Sequence, residues 1–297
     1  VPRSLTSTAG PLAAAGLWGG MYVVSVYGFR TVPPVTLAFA RVDVAAVVLY
    51  ALVSLRTPDR EFTRDDWRRF AALALWVAVT LVLQFVGTAR TNASQGALLT
   101  VLTPVFTVVL GVLVLDESLT VRRVAGIALA AVGTFVVLAG QYDLTRIPTA
   151  SLLGVAALVA SAFTWAGYTV YGADLVRTYS ALETATYSAI IAVPLLALAA
   201  AAELALTPAS LDGLRLTLVN VAVVCYLGVA ATAAAWTFWY AGFDTYDAGA
   251  LAAFFFLQPA VGALLGALFL DESLGALFVA GAIPMALGVY LASTSRE

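Results

Sequence analysis

Apolar residues dominate the chain in long uninterrupted runs, and polar residues gather in the short gaps between them. Ten runs lie at about 10–28, 34–55, 66–88, 93–115, 120–140, 149–172, 180–204, 215–241, 246–270 and 275–293. Each holds about 20 residues, the length an α-helix needs to cross a hydrocarbon core roughly 30 Å thick while satisfying its own backbone hydrogen bonds. The pattern therefore predicts ten transmembrane helices. Charge collects between them, as in residues 58–69 and 140–146, and no gap is long enough for a separate soluble domain.

The second half of this pattern repeats the first. Residues 93–138 recur at 248–293 with a constant spacing: Pro104 aligns with Pro259, Gly111 with Gly266, Leu115 to Leu119 with Leu270 to Leu274, Gly126 with Gly281 and Gly133 with Gly288. The earlier parts match more weakly, Trp18-Gly19-Gly20-Met21-Tyr22 against Trp165-Ala166-Gly167-Tyr168, with a small insertion or deletion between. Internal duplication in a hydrophobic chain is a mark of secondary transporters. Five spans per copy is an odd number, so the second copy enters the membrane in the opposite sense. The expected fold is an all-α integral membrane protein, ten helices in two inverted five-helix repeats at 10–140 and 149–293. Inverted halves can exchange conformations, which opens a shared cavity first to one side and then to the other.

Composition agrees and narrows the chemistry. Hydrophobic residues make up 62% and charged residues 11%, against about 45–50% and about 25% in soluble domains. There is no lysine, so all 15 basic residues are arginines. With the N-terminus inside, the inner segments carry Arg3, Arg56, Arg60, Arg64, Arg68, Arg69, Arg122, Arg123, Arg177 and Arg296, and the outer ones only Arg30, Arg90, Arg146 and Arg215. The positive-inside rule then puts both termini in the cytoplasm of a multi-pass inner or plasma membrane protein. Histidine is absent and Cys225 is the only cysteine, which excludes an intramolecular disulfide, His/Cys metal sites and His-based acid–base catalysis. No cofactor is expected, no basic run suggests nucleic acid, and no cleavable leader is expected. No Walker loop is present, so energy would come from gradients rather than from ATP.

These repeats resemble the drug/metabolite transporter superfamily, and within it the EamA-like branch. The resemblance rests on Gly96-Ala97, Pro104, Leu115 to Leu119 with Glu117, Gly126 and Gly133, and on Ala248 to Ala252, Pro259, Leu270 to Leu274 with Glu272, Gly281 and Gly288. Leu17-Trp18-Gly19 and Phe39-Ala40-Arg41 are similar to the family's opening and second-span signals. It implies export or exchange of small organic metabolites, typically amino acids or related compounds. By that analogy spans 1, 3, 4, 6, 8 and 9 frame the cavity. A monomer or weak homodimer in the lipid bilayer is expected. A sugar-phosphate or nucleotide-sugar exchanger is the alternative within the superfamily, but it would want several basic groups where only Arg41 is available. A membrane-embedded enzyme or a structural membrane protein is the alternative outside it.

Several residues are candidates for the site. Trp18, Tyr22, Gln84, Trp165, Tyr168, Trp239 and Gln258 lie in or near the central spans and either line a substrate cavity or, for the aromatics, anchor at the lipid interface. A buried amide demands a partner, which favours Gln84 and Gln258. Arg41 and Asp43 are ionisable groups within a span and are candidates for gating or coupling. Two residues along a helix is about 200° of rotation, so they point apart, and Arg41 either serves the pathway or pairs structurally. Pro104 and Pro259 each delete a backbone hydrogen bond, bending their spans either as hinges or for packing. Glu117 and Glu272 are read as caps of the helix each precedes, and Thr63 with Asp66 as a capping pair opening the third span.

Overall fold

The computed structural model describes residues 5–57, 60–91, 99, 102–141, 152–207, 217–269 and 275–294. Among them there is no strand, and seven helices are long and apolar enough to cross a membrane. In chain order the helices are α1 (Leu5–Gly28), α2 (Pro34–Arg56), α3 (Arg64–Arg90), α4 (Leu102–Leu115), α5 (Val121–Gln141), α6 (Leu152–Thr178), α7 (Ala181–Leu206), α8 (Leu218–Asp244), α9 (248–269) and α10 (Ala276–Thr294). Glu272, like Arg3, Arg146, Arg215 and Arg296, lies outside the described residues.

Local chemistry sets the helix starts. Thr63 and Asp66 form the expected capping box on α3, with Asp66 N–H donating to Thr63 Oγ1 at 3.2 Å and Thr63 N–H to Asp66 Oδ2 at 2.8 Å. Pro34 opens α2, where its missing N–H costs nothing. Ser180 caps α7, Thr217 caps α8 and Asp247 caps α9, each accepting a backbone N–H three residues on.

Two helices are irregular. α8 is α-helical over Leu218–Cys225, widens to a π-helix over Tyr226–Ala234 and returns to α over Ala235–Ala241. α9 starts as Ala248–Ala252, tightens to a 3-10 turn over Ala253–Phe256 and resumes as Leu257–Phe269. The second break has a local cause. Pro259 offers no N–H to the carbonyl of Phe255, and its ring clashes with that carbonyl in a regular helix.

Two helix pairs join the first half of the chain to the second. α5 packs on α10 along four glycines, Gly126 beside Gly288 and Gly133 beside Gly281. α2 packs on α7, with Thr36 against Glu203 near one end and Leu49 against Thr186 near the other. In both pairs residue numbers rise on one helix as they fall on the other, so the partners run antiparallel. The remaining large contacts also come in matching sets: α3 on α6 and α8 on α1, then α4 on α6 and α9 on α1.

The outer surface is apolar, with Val47, Leu113, Leu198 and Tyr290 each more than half exposed. The middle is aromatic, with Trp18, Trp165, Tyr168, Trp236, Trp239, Tyr240 and Phe255 all buried. Such a surface suits contact with hydrocarbon rather than with water.

Candidate substrate cavity

A small central cavity, ≈ 30 Å³ in free volume and partly open to the outside, lies between α1, α2, α3, α4, α6, α8 and α9. Its apolar wall is made by Trp18, Trp165 and Phe255. The Trp18 ring lies 5.3 Å from Trp165, edge to face, and 5.4 Å from Phe255, stacked. Trp18 is fixed by its indole N–H, which donates to the Ala231 carbonyl at 2.9 Å.

Arg41 enters from α2 and is 1% exposed. Its Nε donates to Thr232 Oγ1 at 2.8 Å, Nη2 to the Ala231 carbonyl at 3.0 Å and Nη1 to the Met21 sulfur at 3.1 Å. The π-helical stretch of α8 makes this possible. A wider turn loosens the regular ladder, and Thr232 Oγ1 itself reaches the Leu227 carbonyl five residues back, at 2.6 Å. Ala231 then serves both Trp18 and Arg41 as acceptor. Among the described residues Arg41 makes no salt bridge; the ion pairs involve Arg60, Arg68, Arg69 and Arg123.

The amides differ. Gln84 donates to the Tyr22 hydroxyl at 3.2 Å. Gln258, 2% exposed, has an Nε2 with no hydrogen-bond partner, as do the indole N–H groups of Trp165 and Trp236. All three line the cavity.

Of the residues singled out from sequence, Trp18, Tyr22, Arg41, Gln84, Trp165 and Gln258 meet at this cavity. Tyr168 and Trp239 do not line it. They stand behind it: the Tyr168 hydroxyl pairs with Ser188 at 3.2 Å, and the Trp239 indole donates to Thr169 at 3.3 Å while its ring packs 4.7 Å from Phe255. Asp43 is on the exposed face of α2, opposed to Arg41 as the helical rotation requires. Pro104 falls in the first turn of α4 as described, beside the cavity residue Thr103, and Pro259 adjoins Gln258.

Sequence reasoning missed Trp236, Phe255, Met21, Thr80 and Ser161, all on the cavity wall. Trp236 and Trp239 lie about one turn apart on α8 and both are buried, but it is Trp236 that lines the cavity. A tryptophan pair after a small-residue run was the only available signal.

The reading of Glu117 needs correction. It does not cap the helix that follows it. The chain turns sharply at Asp116 (φ 54°), and the Glu117 carboxylate accepts from Ala248 N–H at 2.8 Å and Gly249 N–H at 3.1 Å, capping α9 in the other repeat. Arg123 lies 3.5 Å from it and also pairs with Asp247. A Cβ on Gly111 would fall 2.8 Å from this carboxylate. Burial, with Asp247 nearby, pushes the Glu117 carboxyl above its ordinary value, against the opposing pull of the two amides and Arg123.

Among the described residues the fold is all-helical, with the apolar exterior and polar, aromatic-walled centre of a membrane protein. The sequence model of the EamA-like transporter family matches residues 9–139 and 152–294, and the chain belongs to that family, within the drug/metabolite transporter superfamily. It is thus a multi-pass membrane transporter of small molecules. Two uncharacterized transporters of Archaeoglobus fulgidus are similar, one 24% identical over 282 residues (95% of each chain), the other 25% identical over 280 residues (94% of this chain, 95% of the relative). A solved crystal structure superposes with a TM-score of 0.79 at 18% identity, covering 98% of this chain and 97% of its own. That likeness concerns the fold alone.

Proposed function

We propose that the chain exports or exchanges small organic metabolites, amino acids or related compounds, by alternating access about the central cavity. The carrying observation is the cavity itself: Arg41, Gln84 and Gln258 converge with a wall of aromatic rings where elements of both halves meet. Two inverted five-helix units, 10–140 and 149–293, support this reading, because the antiparallel pairings of α5 with α10 and α2 with α7 are what inversion requires. The protein works in the cell's inner or plasma membrane with both termini cytoplasmic, driven by solute or ion gradients. Trp18, Tyr22, Gln84, Trp165 and Gln258 touch substrate, with Tyr168 and Trp239 supporting them. Arg41, Pro104 and Pro259 serve binding or gating. Among the described residues Arg41 is the one cation in the cavity, which does not favour a phosphate-bearing substrate carrying about two charges.

Counterflow in proteoliposomes over a panel of radiolabelled solutes tests the proposal. A carrier shows uptake accelerated by unlabelled solute on the opposite side, and absence of acceleration with every solute overturns it.

A further inference from the structure

We infer that the cavity favours the carboxylate of an organic anion over an ammonium group. The inference rests on reading the cavity as the substrate site, and it narrows the substrate class.

The lining is rich in donors and poor in charged acceptors. Arg41 brings a cation with no carboxylate partner, and one of its nitrogens rests only on the Met21 sulfur, a weak acceptor. The Nε2 of Gln258 and the indole N–H groups of Trp165 and Trp236 are buried and unpaired. Each such buried donor is destabilising until something accepts from it. Among the described residues no Asp or Glu lines the cavity. Four groups on one cavity therefore ask for the same thing, a ligand oxygen carrying negative charge. A carboxylate has two oxygens and about four acceptor sites, and one negative charge balances the one cation. An ionised group within a membrane span ordinarily has such a partner.

The rest of the ligand follows from the other wall. Trp165 and Phe255 pack on Trp18 with centroids 5.3 and 5.4 Å from it, and together the three rings give the cavity an aromatic wall suited to an apolar body. An ammonium on that body would find ring faces and neutral oxygens but no carboxylate, beside a guanidinium that repels it. The structure thus favours an aryl or branched carboxylate over the amino acid of the same skeleton, and both over the amine.

The test uses the purified full chain and four probes of one skeleton: phenylacetate, phenylalanine, phenethyl alcohol and phenethylamine. Binding is read from tryptophan fluorescence, which needs no transport. Phenylacetate should bind at least about tenfold more tightly than the alcohol or the amine, about 1.4 kcal/mol, with phenylalanine between. Gln258→Glu supplies the missing acid and should remove this preference or reverse it. Arg41→Gln should remove it too, but Arg41 also fastens α8, so Gln258→Glu carries the test if that variant does not fold. Equal binding of anion and amine, no saturable binding of phenylacetate, or a preference untouched by Gln258→Glu overturns the inference. If phenylacetate binds as expected while no solute shows counterflow, the anion site stands and the transport reading fails. Counterflow with indifference to ligand charge gives the opposite result.

Discussion

Gly133 of α5 and Gly281 of α10 touch backbone to backbone: a Cβ on Gly133 would lie 2.6 Å from the Gly281 carbonyl oxygen, and one on Gly281 2.5 Å from that of Gly133. Gly126 and Gly288 make the same contact, at 2.8 and 2.5 Å. The repeat aligns Gly126 with Gly281 and Gly133 with Gly288, so exchanging the halves turns one contact into the other. In lipid, where apolar side chains gain nothing from leaving the solvent, such close approach is a main source of helix association.

Adding a methyl at this seam should therefore be costly. Gly133→Ala or Gly281→Ala forces backbone apart, since the atoms met belong to main chain and cannot rotate away. A loss of about 1–3 kcal/mol is expected, read as a lower midpoint of thermal unfolding in detergent. Gly16→Ala is the control, because nothing lies within 4 Å of its added carbon. Its midpoint should stay level or rise slightly, as a glycine in mid-helix gives up about 0.5–1 kcal/mol to alanine.

The Glu117 carboxyl makes a pH prediction. Its folded value is raised, with burial the largest cause, so the folded protein holds this proton more tightly than the unfolded chain does. The resulting stability is fully present below the ordinary carboxylate value and is lost as pH rises through the raised one. Thermal midpoints of the native chain relative to Glu117→Gln should accordingly decline across that interval and level off above it. A difference that instead grows with pH would mean that the amide hydrogen bonds to Ala248 and Gly249, and not burial, govern the group.

How much of this was legible follows from which forces are local. The ten runs, the Thr63–Asp66 box and the opposition of Arg41 to Asp43 depend on hydrophobic length, a three-residue spacing and helical rotation, all written in sequence. The duplication marks Gly126 and Gly133 as equivalent to Gly281 and Gly288, but which of them touch is set by the packing of α5 on α10. Glu117 was misread because its true partners, the amides of Ala248 and Gly249, are more than 130 residues away, and no local rule distinguishes a carboxylate that caps its own helix from one that caps another. Trp236 was missed because it and Trp239 are buried on the same helix, and no local rule tells which of two indoles three residues apart reaches the cavity.

Glu203 offers a second carboxylate that caps a helix of the opposite half. It accepts from Val35 N–H at 3.0 Å, Thr36 N–H at 2.8 Å and Thr36 Oγ1 at 2.9 Å, all at the start of α2. α2 carries Arg41, so slack here would reach the cavity. Glu203→Ala should cost about 0.5–2 kcal/mol, the range for losing an N-terminal cap, and should weaken ligand binding to the Arg41 side. Thermal unfolding and tryptophan titration measure the two effects; an unchanged midpoint would show that water caps α2 equally well.

The tight turn before Pro259 is the remaining point at which sequence, backbone and function meet. Ala253–Phe256 is 3-10 because Pro259 cannot donate to the Phe255 carbonyl, and this short segment presents Phe255 to the cavity, with Gln258 one residue before the proline. Five residues before this segment, the start of α9 at Ala248 is held by Glu117 from the first half of the chain. A segment fixed at one end and irregular in the middle is suited to absorbing the backbone change of a hinge. Pro259→Ala restores the amide, allows a regular helix and stiffens the segment. The expected outcome is normal expression and an unfolding midpoint equal to or above the parent, with counterflow slowed about three- to tenfold, or about 0.7–1.4 kcal/mol on the limiting barrier. A parental rate in a well-folded Pro259→Ala protein would assign the proline to packing and leave the conformational change to other segments.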